Sequence, residues 1–203
     1  MEFQSAGFQN LPSWLGRLIR LDLTVFDDVK DNAAATAPAI AVVVVASFLA
    51  GLGTWLWGVV EDVPDKGEIL LKATILGSIF QIALWVLWVY IVAMLLSRVF
   101  GAGADMNRLM RTMGLAFAPM AISLLVLVSI LSIPFAAIAI GATFLLTNAA
   151  IAAATDAPPD RVALANLVGF AAFALILGIL SSVYQWHDFG GLAPGIFFFN
   201  LAS

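Results

Sequence analysis

The stretch from Thr112 to Thr155 contains 44 residues and no ionisable side chain. At about 1.5 Å per residue it would form roughly 66 Å of helix, twice the ~30 Å thickness of a hydrocarbon core. A single span cannot use that length, so the segment is expected to cross a bilayer, turn and cross back. The turn is predicted at Ser132-Ile133-Pro134, because a proline cannot extend the incoming helix. This feature indicates a polytopic membrane protein.

The composition supports this class and excludes several others. Hydrophobic residues make up 63% of the chain and charged residues 11%, whereas a soluble domain has about 25% charged residues. A soluble fold of 203 residues could not bury that much apolar surface. There is no basic block for a nucleic acid partner, and the absence of cysteine excludes disulfides and cysteine metal sites.

Five transmembrane helices are predicted from the uncharged stretches, giving an all-α fold. They occupy approximately residues 36–60, 70–98, 112–132, 135–154 and 161–185. The predicted domains are a cytoplasmic segment (1–32), a transmembrane domain (33–187) and an apolar tail (188–203). The first segment lacks the apolar core of a signal peptide, so we expect the N-terminus to be retained.

The basic residues predict the orientation, since cytoplasmic loops carry the excess of lysine and arginine. With five spans, seven of the nine bases lie on the side of the N-terminus. They are Arg17, Arg20, Lys30, Arg98, Arg108, Arg111 and Arg161. The other side receives only Lys66 and Lys72. The N-terminus is therefore expected in the cytoplasm and the C-terminus outside.

The segment before the first span contains an amphipathic pattern. Apolar residues recur there at three- and four-residue spacing, while Arg17 and Arg20 point elsewhere. The apolar stripe consists of Leu11, Trp14, Leu15, Leu18 and Ile19. Such a helix could lie in the headgroup layer with its arginines on lipid phosphates, or pack against the cytoplasmic end of the bundle. Both arrangements bury the same stripe, so the sequence leaves both open.

The predicted spans carry no charged residue away from their ends, where a transporter or proton relay would need one. Their amides are Gln81, Asn148 and Asn166. We expect these amides to join helices by hydrogen bonds worth about 0.5–2 kcal/mol each rather than to bind a substrate. Asn148 and Asn166 are predicted to be close enough to bond to each other.

No enzyme signature is recognisable. Gly101-Ala102-Gly103-Ala104-Asp105 superficially resembles the Gly-x-Gly-Asp of intramembrane aspartyl proteases, but the aspartate is displaced by one residue and a second intramembrane aspartate is missing. His187, beside Trp186, is interpreted as a boundary anchor, because a haem or chlorophyll ligand would lie within a span. We therefore predict no catalytic residue, metal or cofactor.

The loop from Arg98 to Arg111 is the most distinctive segment. Gly101 and Gly103 allow a sharp turn, after which Asp105 or Asn107 is predicted to cap a short helix that carries the last arginines. Lipid phosphates or an acidic partner would suit this arrangement, although ordinary positive-inside charge explains it equally well. The candidate lipid- or partner-binding residues are Arg17, Arg20, Arg98, Arg108 and Arg111.

The run from Phe100 to Pro119 resembles the signature of the Yip family of membrane proteins. In that family a glycine-rich turn and a short basic helix lead into a span that opens with Gly-Tyr-x-x-x-Pro. Here Gly114 and Pro119 keep the spacing, and Leu115 replaces the tyrosine. The resemblance extends over about residues 18–185 and implies five spans with a cytoplasmic N-terminus.

The resemblance also implies a protein without enzymatic activity. Eukaryotic members work in vesicle traffic, bind Rab-type GTPases through a long cytosolic tail and associate with one another. The cytosolic segment of this chain is short and lacks their Asp-Leu-Tyr-Gly-Pro element, and both differences count against a GTPase partner. The short loops indicate a prokaryotic member in the bacterial cytoplasmic membrane.

The C-terminal tail ends in the aromatic run Phe197-Phe198-Phe199. Residues 190–203 are too few to span a bilayer. The three rings are therefore expected at the outer membrane surface or in the groove of a partner protein.

The leading hypothesis is a Yip-like protein that organises membrane or scaffolds partners, which would be lipids, other membrane proteins or further copies of itself. One alternative is an accessory subunit of a respiratory or photosynthetic complex, docked through Trp85, Trp88 and the aromatic tail. A second alternative is a small channel or permease with a polar path along Gln81, Asn148 and Asn166.

Overall fold

A computed structural model describes residues 2–183 and 192–199, with the backbone alone for residues 2–6. These residues form helices joined by short turns, with no β-strand in the ranges described. Five helical segments within the described residues are long and apolar enough to cross a membrane. They are Ala33–Val60, Lys66–Val99, Met106–Leu127, Ser129–Ala154 and Pro159–Val183. The predicted all-α architecture of a multi-pass membrane protein is confirmed.

The described residues contain eight α-helices, the first two before these segments and the other six within them. They are α1 (Glu2–Ile19), α2 (Val25–Lys30), α3 (Thr36–Val60), α4 (Lys66–Ile69), α5 (Gly77–Met94), α6 (Met106–Ala116), α7 (Ser132–Ala154) and α8 (Pro159–Val183). Wider π-turns at Leu70–Leu76 and Leu95–Val99 extend α5 in both directions. The second span therefore begins at Lys66, four residues before the predicted start.

The third span begins at Met106, and the predicted start at residue 112 is wrong. The Asp105 side chain caps the helix by accepting hydrogen bonds from the backbone N–H groups of Asn107 (2.7 Å) and Arg108 (3.0 Å). The predicted short basic helix is thus the opening of the span itself. After Ala116 the span narrows to a 3-10 helix over Ala118–Leu127, because Pro119 lacks an N–H group and clashes with the preceding turn.

The turn between the third and fourth spans lies at Val128, not at the predicted Ser132-Ile133-Pro134. Val128 is extended, with φ −84° and ψ 92°. Pro134 lies in the first turn of α7, where its missing N–H group costs no helical hydrogen bond. The Ser132 hydroxyl donates to the carbonyl oxygen of Val126 at 2.6 Å, which closes the turn.

The chain forms two compact units whose boundaries fall inside the spans. Unit one contains Met1–Val43, Leu87–Ala118 and Phe144–Phe170. Unit two contains Val44–Val86, Pro119–Thr143 and Ala171–Ser203. The fully buried side chains of unit one include Phe26, Leu96, Leu109, Met113 and Phe117. Those of unit two include Trp85, Phe173, Leu177 and Phe198.

In unit two, α3 and the second span approach closely at Gly51. A Cβ atom at this glycine would lie 2.6 Å from the Thr74 Cα atom. The Thr74 hydroxyl donates to the carbonyl oxygen of Gly51 at 2.9 Å, and the Ser78 hydroxyl donates to that of Ser47 at 3.0 Å. Small residues thus allow hydroxyl groups to reach the backbone of the neighbouring helix.

The described part of the C-terminal tail packs into unit two. The Gly195 N–H group donates to the Thr54 hydroxyl at 3.1 Å, and the Ser181 hydroxyl donates to the Phe197 carbonyl oxygen. Phe198 is 2% exposed, and its ring centroid lies 5.8 Å from that of Trp57. The expectation of a membrane surface or partner groove is therefore wrong for Phe198, because this chain supplies its apolar surroundings. Phe199 and Phe197 are half-buried.

Candidate functional site

The seven bases that the predicted topology assigns to one side all belong to unit one, whereas Lys66 and Lys72 belong to unit two. Unit one also contains the N-terminal segment and the two loops that follow the second and fourth spans. The contacts of each base show which of them remain available to a ligand.

Arg17 is fully engaged with its own chain. Its guanidinium donates to Asp22 at 2.7 Å, to the Thr24 hydroxyl at 2.7 Å and to Asp28. The Arg17 hydrogen bond, helped by that of Thr24, lowers the pKa of Asp22 to about 2, and the two carboxylates raise the pKa of Arg17. Arg17 therefore holds the turn between α1 and α2, and its predicted role as a lipid ligand is not supported.

Arg108 and Arg111 connect the start of the third span to the N-terminal segment. The Arg108 Nη2 atom lies 2.8 Å from Asp31 Oδ1. Arg111 is half-buried and donates to the carbonyl oxygen of Lys30 at 2.7 Å and to the Thr36 hydroxyl at 2.9 Å. Lys30 is the last residue of α2, whose terminal carbonyls lack helical partners. Both arginines are therefore paired with residues of the N-terminal segment and the first span, and they do not form a common helix face that is free to bind lipid or a partner.

The residue before the glycine-rich turn, Phe100, is held by the first turn of α8. Gly101 adopts a positive φ of 65°, as its predicted turn requires, whereas Gly103 does not. Arg161 donates to the carbonyl oxygen of Phe100 at 2.9 Å, and its guanidinium carbon lies 5.8 Å from the Phe100 ring centroid. Sequence reasoning used Arg161 only for orientation and missed this contact, because the two residues are 61 positions apart.

Asp105 caps the helix that begins at Met106. The backbone N–H group of Arg108, followed by that of Asn107, lowers the pKa of its carboxyl group. The carboxylate therefore stays ionised, and its negative charge faces the start of the helix, where it is favourable.

The amphipathic helix α1 packs on its own chain. Trp14 and Leu18 are buried, and a Cβ atom at Gly7 would lie 2.0 Å from the Ala34 carbonyl oxygen. Of the two arrangements left open by the sequence, the structure shows packing against the rest of unit one. Ile19, the last residue assigned to the stripe, is 83% exposed and does not take part.

Arg20 and Arg98 differ from the other arginines of unit one. Both are exposed, and within residues 2–183 and 192–199 neither guanidinium has an ion-pair or hydrogen-bond partner. Arg20 lies between Ile19 and Leu21. The Leu21 side chain is 74% exposed, and its backbone has a positive φ of 58°. We call Ile19, Arg20 and Leu21 the α1 tip. Its combination of a free cation and two exposed aliphatic side chains suits a membrane interface.

The predicted polar residues have different environments. Asn166 accepts hydrogen bonds from Trp88 Nε1 (3.2 Å) and the Thr147 hydroxyl (3.3 Å), and donates to the Phe144 carbonyl oxygen (3.1 Å). It thereby joins α5, α7 and α8. The expected pairing with Asn148 is wrong, because the adjacent residue Thr147 occupies that position. Gln81 is buried in unit two.

Gly114 brings the third span close to the first. A Cβ atom at this position would lie 3.0 Å from both the Cβ atom and the carbonyl oxygen of Ala39. Five residues later, Pro119 follows the change from α-helix to 3-10 helix. The five-residue spacing between Gly114 and Pro119 therefore separates two features of the third span. Gly114 makes a close contact with the first span, and Pro119 lies where the α-helix has given way to a 3-10 helix.

The family model of the Yip1 domain matches residues 22–183. The chain belongs to the Yip1 domain family. Its Yip1 domain begins at Asp22, the partner of Arg17, and includes all five membrane-spanning segments. Yip1 family membrane proteins are generally non-enzymatic. No curated protein and no solved structure significantly matches this chain.

No group of three or more histidine, cysteine or acidic residues that could hold a metal ion is found in the part of this Yip1 protein that the structure describes. His187, interpreted from the sequence as a boundary anchor, lies outside the described residues, as does Trp186.

Proposed function

We propose that this Yip1 protein organises the bacterial cytoplasmic membrane without catalysing a reaction, and that unit one binds anionic lipid headgroups there. The observation that carries the proposal is the α1 tip with its free Arg20, together with the free Arg98 at the end of the second span. Arginines near an anionic membrane surface contribute about 1 kcal/mol each to binding.

The conformation of Leu21 supports insertion of the α1 tip into the interface. A left-handed conformation costs a residue with a side chain roughly 1–2 kcal/mol. In water the exposed Leu21 side chain contributes no burial free energy that could offset this cost. Burial of such a side chain contributes about 1.5–3 kcal/mol. Insertion into the boundary between headgroups and acyl chains would therefore offset the cost, with Arg20 at the phosphate level.

The distribution of bases supports a cytoplasmic position for unit one, and therefore a cytoplasmic N-terminus and an external C-terminus. Of the five arginines that the sequence offers as lipid- or partner-binding residues, this proposal retains Arg20 and Arg98. Arg17, Arg108 and Arg111 contribute indirectly, because their contacts hold α1 and α2 in place.

The structure does not favour the two alternatives, an accessory subunit of a larger complex and a small channel or permease, because the residues that each requires are engaged within the chain. Trp85, Trp88 and Phe198 are buried within the chain, so they offer no docking surface for a larger complex. A polar path for a channel or permease would need Asn166, whose amide is occupied by Trp88, Thr147 and Phe144.

Lipid retention tests the proposal. The protein would be placed in nanodiscs of equal phosphatidylglycerol and phosphatidylcholine, and the lipids retained on release would be counted by native mass spectrometry. The double variant Arg20→Ala, Arg98→Ala should weaken phosphatidylglycerol binding about thirtyfold, as expected for two arginines at about 1 kcal/mol each, and the retained lipid count should fall with it. The control Lys66→Ala, Lys72→Ala removes two bases from unit two and should leave retention unchanged. Equal retention by wild type and the arginine variant would refute the proposal.

A further inference from the structure

Three buried polar atoms of unit two lack a hydrogen-bond partner among the described residues. They are Ser47 Oγ, Gln81 Oε1 and Trp85 Nε1. Their residues are 0%, 2% and 1% exposed, respectively. An unpaired buried polar group costs about 1–3 kcal/mol, and native proteins contain few of them. Three in neighbouring positions therefore need an explanation.

The helix geometry brings these atoms to one interior region. Ser78, Gln81 and Trp85 follow one another at one-turn spacing on one face of α5. Side chains on a helix lean towards its N-terminus, so the Gln81 amide lies over the turn of Ser78 and the Trp85 indole lies over the turn of Gln81. Ser47 lies opposite Ser78, whose hydroxyl reaches the Ser47 carbonyl oxygen at 3.0 Å.

The chemistry of the three atoms defines what can pair with them. Gln81 offers an acceptor, Trp85 offers a donor, and the Ser47 hydroxyl can act as either. The nearest charged positions on the second span are Lys72 and Arg98, more than two helical turns from Gln81 and Trp85. A charged ligand would remain uncompensated there. A small neutral molecule that both donates and accepts hydrogen bonds satisfies all three atoms.

We infer that unit two contains a hydration site at Ser47, Gln81 and Trp85. Water accepts a hydrogen bond from the Trp85 N–H group and donates to the Gln81 amide oxygen, and Ser47 completes the usual set of about three partners of a buried water.

Trp88 provides an internal control on the same helix. Three residues after Trp85 and equally buried, its indole N–H group donates to Asn166 at 3.2 Å. The two tryptophans therefore differ in that Asn166 satisfies the Trp88 N–H group, whereas we assign the Trp85 N–H group to water.

Water-edited solid-state NMR tests the inference. The full-length protein, with ¹⁵N-labelled tryptophan, would be reconstituted in deuterated lipid, and the two indole signals would be assigned with Trp85→Phe and Trp88→Phe. We expect magnetisation transfer from water to the Trp85 indole to be at least threefold faster than transfer to that of Trp88. Gln81→Leu should reduce the Trp85 rate to that of Trp88. Equal rates in the wild type, or a Trp85 rate unaffected by Gln81→Leu, would overturn the inference.

Thermal unfolding gives an independent result. In a dry site, Gln81→Leu removes an unpaired acceptor and should leave the Tm unchanged or raise it. In a hydrated site, the same substitution displaces the water and leaves the other two atoms unpaired, so the Tm should fall. Ser47→Ala provides the same comparison with a smaller change of volume, in case the leucine variant does not fold.

Discussion

Arg111 donates a hydrogen bond to the main-chain oxygen of Lys30 at 2.7 Å, although 81 positions separate the two residues. The carbonyl belongs to the last residue of α2, and the same guanidinium also reaches Thr36 at the start of α3. One side chain of the third span thus fixes the junction between the N-terminal segment and the first span.

Arg111→Ala should lower the free energy of unfolding by about 2–3 kcal/mol, because two hydrogen bonds from a charged donor are lost. The measurement is thermal or denaturant unfolding in a fixed detergent. Arg98→Ala is the matched control: its guanidinium has no partner among the described residues, so the change should stay within about 0.5 kcal/mol. Equal effects of the two substitutions would contradict the role assigned to Arg111.

Gly114→Ala should destabilise the protein, because the added Cβ atom would lie 3.0 Å from Ala39 and push the third span from the first. Gly141→Ala in α7 is the control, since no atom beyond its chain neighbours and the backbone of the adjoining helical turns lies within 4 Å of the position that its added methyl group would take. That substitution should be neutral or stabilising by up to about 1 kcal/mol, because alanine favours helix. Comparison of the two Tm values tests the close contact, which would be contradicted by a Gly114→Ala variant as stable as the wild type.

Phe198→Ala should lower stability by about 3 kcal/mol, since it leaves a cavity beside Trp57. Phe80→Ala removes a ring that is 37% exposed and should cost less. Limited proteolysis of the C-terminal segment, together with thermal unfolding, distinguishes a packed tail from a free one. A tail cleaved equally fast in the wild type and in Phe198→Ala would show that Phe198 does not hold it.

Asp22 should titrate with a pKa of about 2, well below the ordinary value of 3.8. Because the folded-state pKa is depressed, its stabilising effect is complete above the ordinary pKa and is lost as the pH falls from about 4 towards 2. Carboxyl ¹³C chemical shifts measure this titration. Arg17→Ala removes the largest cause and should return the pKa towards 3.8, whereas Arg20→Ala should leave it unchanged. A pKa near 3.8 in the wild type would contradict the observed geometry.

The five spans could be predicted from the sequence, because hydropathy is summed over some twenty residues of each. The start of the third span could not be predicted in this way, since Arg108 and Arg111 have the charge that is typical of a cytoplasmic loop. Their partners, Asp31 and Lys30, are remote in sequence. The same limit applies to the candidate site, because Arg17 and Arg20 look alike in the sequence. Only the folded positions of Asp22, Thr24 and Asp28 show that Arg17 is engaged, whereas Arg20 has no such partner among the described residues.

The tail illustrates a different limit. A run of three phenylalanines predicts apolar surroundings, but lipid, a partner and the chain itself all provide them. The positive φ of Gly195 and its bond to Thr54 determine that Phe198 turns into unit two, and neither feature can be derived from a single sequence.

Cysteine labelling tests the central claim, a cytoplasmic position for the arginines of unit one, most directly. The chain has no cysteine of its own, so Asn107→Cys and Glu61→Cys each provide one exposed thiol, in unit one and unit two respectively. In intact bacterial cells, a membrane-impermeant maleimide should label Glu61→Cys at once and Asn107→Cys only after permeabilisation. Labelling of Asn107→Cys in intact cells, with Glu61→Cys protected or labelled alike, would contradict the account.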